Sequence, residues 1–506
     1  MIFDIVNRHD SIAVINAFGP LTSTTSVAPL AGIMLKLKKQ GKRAFILDCG
    51  RISCTNFSGL TSLVEIATRT FGMPVAFCNL PDNLKSKLGT VGLEHIVKAY
   101  ENVDDVLTDT KFRAFQLRNL RTIVLCAGQG SRVKPITNIV PKPMLDVVGK
   151  PVLVHILDHL ESFGIRDIFL NPGHLGPQIH NYFSQHPRAA QSVFYLNEGR
   201  LLNNNWHADP IGSASTVKKL QTDHNSFCSD FLVICGDALI DIDIAQMLAQ
   251  HVRNDADVTI AALNVSQNEI SKYGIIDVDP SGRILNFQEK PIPGSTQSTL
   301  ANTGIYIFNP RVLGLIPDTE GLDIATDLLS KILSSGGKMQ VFSDKFSWTD
   351  IGCGKDYFGA IQRVLNGDIP NTLPAGAQRT PGQWIDETAK VSRRAKISGP
   401  VYVGPYVTIA PGVTINGPVS IGAGAVVDRG AFLRQSLIMP ETHVKKGAVI
   451  DGQITHAEWS VSIQHADGSS KSSPSLEFVT HVGDGKPGKI AVQEKFHDGS
   501  AKEAYQ

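Results

Sequence analysis

This chain of 506 residues lacks an excess of either charge: 48 basic residues stand against 47 acidic ones, a formal net charge of +1. A general nucleic-acid binder carries a strong basic excess, so no nucleic-acid partner is expected, although local phosphate sites need only a few cations. No stretch approaches the roughly 18 uncharged apolar residues of a membrane span. The opening MIFDIVNRHDS has no basic region leading into an apolar one. These absences point to a soluble, cytoplasmic protein with no membrane span. Cysteine is scarce, seven residues at 49, 54, 78, 126, 228, 235 and 353, with no CxxC pair. Cys49, Cys78, Cys126 and Cys235 sit in or at the end of apolar, strand-like runs, which suits reduced buried thiols better than a disulfide framework. What is abundant is core material, with 42% of residues hydrophobic. At roughly 100–200 residues per domain, the length predicts about three domains.

Residues 1–110 alternate strand-like runs (Ile12–Phe18, Arg43–Asp48, Pro74–Leu80) with helical periodicity (Val27–Lys39, Leu60–Thr70, and around Asp82–Lys87). That alternation predicts a small α/β domain. Residues 111–120 mix basic and apolar residues without a period and read as a linker. A second α/β segment, 121–368, opens with Thr122–Ala127, a continuous apolar run of the buried parallel-strand type. A Gly-rich turn follows, then an amphipathic helix near Val152–Phe163. Strands are expected at Ile168–Leu170, Phe231–Cys235, Val258–Leu263 and Ile305–Phe308.

Residues 380–455 carry a numerical repeat. Ile385, Val391, Ile397, Val403, Ile409, Ile415, Ile421, Val427, Leu433 and Met439 are spaced by six without a break. Four residues after each of the first nine stands Ala389, Ala395, Val401, Val407, Val413, Val419, Ala425, Ala431 or Leu437. A period of six fits neither a lone helix nor an ordinary sheet; it fits a parallel β-helix of three hexapeptides per coil, aliphatic residues inward. Residues 456–506 are rich in Gly, Ser, Lys, Asp and His and read as a polar, partly flexible tail, with short apolar patches at Leu476–Val479 and Ile490–Val492.

The chemistry is concentrated in the central segment. Ala127-Gly128-Gln129-Gly130-Ser131-Arg132 follows a buried strand. Its glycines let the backbone approach a polyphosphate while amide N–H groups and Arg132 meet the charge. The third glycine of a dinucleotide fingerprint is missing, since residue 133 is Val, and no GK[ST] follows. Alone, such a loop is as well explained by a turn with a solvated arginine. It is joined by Pro141-Lys142-Pro143, by Asp237 at the C-terminal end of a strand where α/β sheets bind ligands, by Glu289-Lys290-Pro291, by Asn302-Thr303-Gly304, and by Asp350 in Trp348-Thr349-Asp350-Ile351-Gly352. Two carboxylates in such a set suit a hard cation with phosphate oxygens, where a His/Cys set would not.

These ordered motifs resemble the nucleotidyltransferases that make nucleotide sugars from sugar 1-phosphates and nucleoside triphosphates, over about 250 residues. The family's GxGxR…P…PKP opening is matched by Gly128, Gly130, Arg132, Pro135 and Pro141-Lys142-Pro143. The resemblance implies a Rossmann-like α/β fold and a catalytic set of Arg132, Lys142 and Asp237. It assigns Ala127, Gly128, Gly130, Gly212 and Ser213 to the nucleotide, and Glu289, Lys290 and Asn302 to the sugar phosphate. Asp237 and Asp350 would hold Mg²⁺. Gly212-Ser213-Ala214 stands where the family has a GTA-like turn, with Ser215 replacing a frequent glycine. GTP with mannose 1-phosphate, giving GDP-mannose, is the expected pair, with glucose 1-phosphate and UTP or dTTP close behind.

The N-terminal segment resembles the STAS domain through Ile46-Leu47-Asp48 and Thr55-Asn56-Phe57-Ser58-Gly59-Leu60. The resemblance implies a regulatory module with a protein partner. Ser58 is either its phosphorylation site or simply a helix N-cap. The hexapeptide segment resembles the left-handed β-helix that follows such catalytic domains, implying a homo-oligomer. Acyl transfer is disfavoured, because Ile385–Met439 contains no histidine and His443, His456 and His465 fall outside the register. The competing reading of the whole chain is a non-catalytic nucleotide-sugar sensor signalling through the STAS segment.

Overall fold

The computed structural model describes residues 1–6, 11–69, 73–92, 98–292, 294–370, 372–463 and 479–481. The N-terminal α/β segment is a five-stranded sheet in sequential order: Ile2–Val6, Ile12–Leu21, Ala44–Thr55, Val75–Cys78 and Ala99–Tyr100. The first pair is antiparallel and the rest are parallel. Helices Thr24–Lys39 and Phe57–Arg69 bury Val27, Leu30, Met34, Leu60 and Leu63 against one face. The second helix begins earlier than its apolar period suggests, because Asn56 caps it, its side-chain oxygen accepting from the Gly59 amide at 2.8 Å. Asn56, not Ser58, is therefore the N-cap. Ser58 lies exposed in the first turn beside Phe57, which is 50% exposed.

Residues 111–120 differ from the linker reading. Thr110–Arg113 is a short helix, and Phe112, Gln116, Leu117 and Leu120 are buried. Phe112 joins the core on the second face of the five-stranded sheet. Leu117 donates its amide to the carbonyl of Phe163 at 3.0 Å, and the Arg113 guanidinium lies 3.9 Å from the Phe163 ring centre. The aperiodic run buries residues against two neighbours at once, so no single repeat shows in its sequence. Residues 1–360 accordingly fall in one compact unit.

The central sheet has nine strands. Its main path runs Ser192–Tyr195, Asp167–Leu170, Thr122–Leu125, Phe231–Cys235, Leu300–Phe308, Val258–Asn264 and Met339–Phe342. The first four are mutually parallel, and Leu300–Phe308 runs antiparallel to both its neighbours. Val233, Ile260, Tyr306 and Phe308 form the middle of a large apolar core beneath it.

The C-terminal segment is a parallel β-helix, described by itself. Strands stack one coil apart, as in Gln383–Ile385 on Val401–Val403 and on Thr414–Ile421. Val391 pairs with Ile409, and Ile409 with Val427, an advance of 18 residues that is three hexads. The inward columns hold Val403 and Ile421, Ile409 and Val427, and Ile415 and Leu433. The last predicted member is corrected: Ile438, not Met439, pairs with Ile421, and Ser436, not Leu437, continues the column of Val401 and Val419. The Asn416–Val419 corner is answered by one residue fewer at Arg434–Ser436, so the final coil advances by 17 and places Val444 under Val427. Beyond the repeat, Ser460–Ser462 pairs with Gln453–Thr455, and Val479–His481 with Thr442–Val444. The tail thus contributes two strands. His465 and the patch Ile490–Val492 lie outside the described residues, as do residues 476–478 of the first patch. No helix among the described residues is long and apolar enough to cross a membrane.

Candidate active site

The site forms where the parallel strands end. After Thr122–Leu125 the chain passes through Ala127-Gly128-Gln129-Gly130. Gly130 has φ +62°, and a Cβ there would stand 2.8 Å from the Thr137 methyl group. Thr137 in turn donates its hydroxyl to the Gly130 carbonyl at 2.8 Å. Opposite lies Pro210-Ile211-Gly212-Ser213, leading into helix Ser213–His224. Gly212 has φ +90°, and a Cβ would stand 2.4 Å from the Leu322 carbonyl oxygen, so only glycine fits. Ser213 donates to Asp323 and accepts from the Ile324 amide, both at 2.8 Å. Ser215 donates to the Thr319 carbonyl and accepts from the Leu322 amide. The serines that depart from the family turn are thus the pins that hold it down.

Between the two loops lies a cavity of about 390 Å³. Among the expected site residues, Ala127, Gly128, Gly212, Ser213, Lys142 and Asp237 line it. Lys142 is buried, its ammonium 2.5 Å from Asp237 Oδ2 and 3.8 Å from Asp350 Oδ1. Burial opposes its charge, but Asp237 and then Asp350 outweigh that and raise its pKa. The two aspartates meet through a strand pair: Ala238–Asp241 runs antiparallel to Ser347–Asp350, with Asp350 opposite Ala238. The Ile351 amide then donates to the Asp237 carbonyl at 3.2 Å. Burial, reinforced by Asp237, pushes the Asp350 carboxyl up to about 6, and Lys142 and Arg132 only partly pull it back. Arg132 is exposed at the rim of this cluster, facing Gly352.

Glu289 and Lys290 form a 3.1 Å ion pair at the end of the hairpin Gly274–Val278/Ile284–Glu289, where Lys290 adopts φ +46°. The Lys290 amide donates to the Tyr273 carbonyl, and the Tyr273 ring meets Trp348 edge-on at 5.1 Å. This connects the hairpin to the strand carrying Asp350. Asn302 is buried and engaged at both ends of its amide, donating to the Tyr306 hydroxyl and accepting from the Gly304 amide.

Two polar cavity residues escaped the sequence reading: Asn171 and Glu198. Asn171 directly follows strand Asp167–Leu170, and that position is the signal that could have found it. Glu198 belongs to no motif. Among the described residues, no cluster of three or more His, Cys, Asp or Glu side chains could hold a metal.

Residues 121–367 match the nucleotidyl transferase family model. A UTP–glucose-1-phosphate uridylyltransferase of Synechocystis sp. is 37% identical over 283 residues, 56% of this chain and 73% of the relative. The chain belongs to the nucleotidyl transferase family. Its activity is that of a sugar-1-phosphate nucleotidyltransferase. A mannose-1-phosphate guanylyltransferase of Mycobacterium tuberculosis is 27% identical over 278 residues, covering 55% of this chain and 73% of the relative. Residues 5–106 match the STAS domain model. Among solved structures, HddC from Yersinia pseudotuberculosis, complexed with GMP-PN, aligns over 48% of this chain and 99% of its own at 25% identity and TM-score 0.40.

Proposed function

We propose that this nucleotidyltransferase joins UTP to glucose 1-phosphate, releasing pyrophosphate and UDP-glucose. The identity to the Synechocystis uridylyltransferase carries this choice of pair. The mannose-1-phosphate guanylyltransferase among the relatives supports GTP with mannose 1-phosphate as the second reading. The Gly128–Gly130 backbone and the Gly212–Ser213 turn enclose the nucleotide. Arg132 and Lys142 counter the charge that grows on the departing pyrophosphate, Lys290 meets the phosphate of the sugar phosphate, Glu289 accepts from its sugar hydroxyls, and Asn302 shapes that end of the site. The sugar-phosphate oxygen is already ionised, so these groups orient and neutralise rather than abstract a proton.

Asp237 and Asp350 fit a Mg²⁺ ion. They are hard oxygen donors brought together by the strand pair, with the repulsion of Asp237 adding to burial in raising the Asp350 carboxyl, and such a pair would suit Mg²⁺. When bound, the ion supplies countercharge to both phosphate groups. The STAS segment is a regulatory module for a protein partner, presenting exposed Phe57 and Ser58. The β-helix is an assembly element for a homo-oligomer in the cytoplasm.

A pyrophosphate-release screen of four nucleoside triphosphates against a panel of sugar 1-phosphates tests the assignment. Turnover greatest with UTP and glucose 1-phosphate, and abolished in Asp237→Ala, is the expected result. Preference for another pair rejects the substrate choice. Nucleotide binding without turnover by any pair rejects the catalytic reading in favour of a sensor.

A further inference from the structure

Glu198 is a carboxylate buried to 3% exposure in the wall of the nucleotide cavity, yet both its oxygens are spent on protein donors. Oε1 accepts from the Asn171 side-chain amide at 2.8 Å and from the Thr216 hydroxyl at 2.5 Å. Oε2 accepts from the Ile211 amide at 3.0 Å. Asn171 and Thr216 are themselves buried. The other end of the Asn171 side chain accepts from the Cys126 amide at 2.6 Å, at the point where the strand becomes the Gly128 loop. Thr216 belongs to the first turn of the helix that follows Gly212. The Glu198 backbone is held as firmly: its amide donates to the Pro172 carbonyl, and its carbonyl accepts from the Asp209 amide.

We propose that Glu198 is a positioning residue that fastens the two walls of the nucleotide cavity, the Cys126–Gly128 loop and the Ile211–Gly212 turn, at the separation the nucleoside triphosphate requires. This rests on the nucleotide-site assignment above. The carboxylate is needed because all three partners on its oxygens donate. A glutamine cannot replace it. With its carbonyl toward Asn171 and Thr216, its NH₂ opposes the Ile211 N–H. Reversed, its NH₂ opposes the Asn171 amide, and flipping Asn171 to relieve that clash would strand the Cys126 N–H. Either arrangement leaves one wall with facing donors, a defect worth about 10- to 100-fold in a binding constant.

The test compares wild type with Glu198→Gln and with the milder Thr216→Val, which removes the hydroxyl shared between Glu198 and the Gly212 carbonyl and keeps the shape. KM for UTP is expected to rise about 10- to 100-fold in Glu198→Gln and about two- to fivefold in Thr216→Val. KM for glucose 1-phosphate and kcat should stay within about threefold. Calorimetric binding of UTP should weaken in parallel, an observation that holds even if the wild type turns over no sugar phosphate. Unchanged UTP affinity in both variants overturns the proposal. So does an equal rise in both KM values, which marks a merely structural role. If Glu198→Gln does not fold, Thr216→Val decides alone: an unchanged KM for UTP refutes the fastening role.

Discussion

Asp350 is held where an ionised carboxylate is unwelcome, so the substitution Asp350→Asn should stabilise the ligand-free fold while removing activity. Its carboxyl is raised from 3.8 to about 6 by burial and by Asp237. Between those values the folded state binds the proton more tightly than the unfolded chain does. The associated stability is therefore present below about pH 4 and lost as pH rises through about 6. At about 1.4 kcal/mol per pKa unit, holding the charge at neutral pH costs about 3 kcal/mol. Asparagine escapes that cost, from which the attraction of Lys142 is already subtracted, but packs an amide among charges at about 1–2 kcal/mol. A net gain of about 1–2 kcal/mol remains, or about 2–8 °C in Tm for a domain of this size. Calorimetric melting at pH 7.5 without divalent cations should show it. At pH 5 the cost of the wild-type carboxylate is only about half as large, so the gap should nearly vanish. Pyrophosphate release should fall by at least about 100-fold. A variant that melts below wild type at pH 7.5, or a gap indifferent to pH, refutes the reasoning.

Other parts of the molecule give equally specific expectations. Gly212→Ala puts a methyl group 2.4 Å from the Leu322 carbonyl at φ +90°, so it should cost about 1–3 kcal/mol and raise KM for UTP; melting and steady-state kinetics check both. His155 and His159 are pushed below the usual imidazole range by burial, so each stays neutral in the fold. Their contribution is complete above about pH 6.5 and falls by up to about 1.4 kcal/mol per pH unit below it. His159→Gln keeps a donor for the Ile242 carbonyl and should lose less Tm than wild type between pH 7.5 and 5.5; an equal loss counts against the assignment. Ile415→Ala empties a fully buried place in the β-helix column and should destabilise that unit by about 2–4 kcal/mol in denaturant unfolding.

Local periodicity was readable because each element repeats its own contact. Period two and unbroken apolar runs located Phe231–Cys235 to the residue, and the amphipathic period placed helix Val152–Ser162 within one residue. The period of six revealed the coil because every inward aliphatic residue rests on its counterpart one turn below. The same rule misled at Met439, since a coil shortened by one residue at a corner is indistinguishable in sequence from one that continues. Residues 111–120 were opaque for a related reason: they fill gaps between packed surfaces and follow neither period.

The sequence by itself determined the three architectures, the glycine loop and the presence of isolated cations and carboxylates along the chain. Only the tertiary structure decided which of them meet. Asp237 and Asp350 become neighbours through the pairing of two short strands far apart in the chain, and that pairing, with burial, creates the raised carboxyl. Glu198 has no motif because its partners Asn171, Ile211 and Thr216 come from a strand end, a turn and a helix that converge only in the fold. A local pattern records contacts between near neighbours; burial, charge coupling and the satisfaction of buried donors are properties of groups that the folded chain brings together.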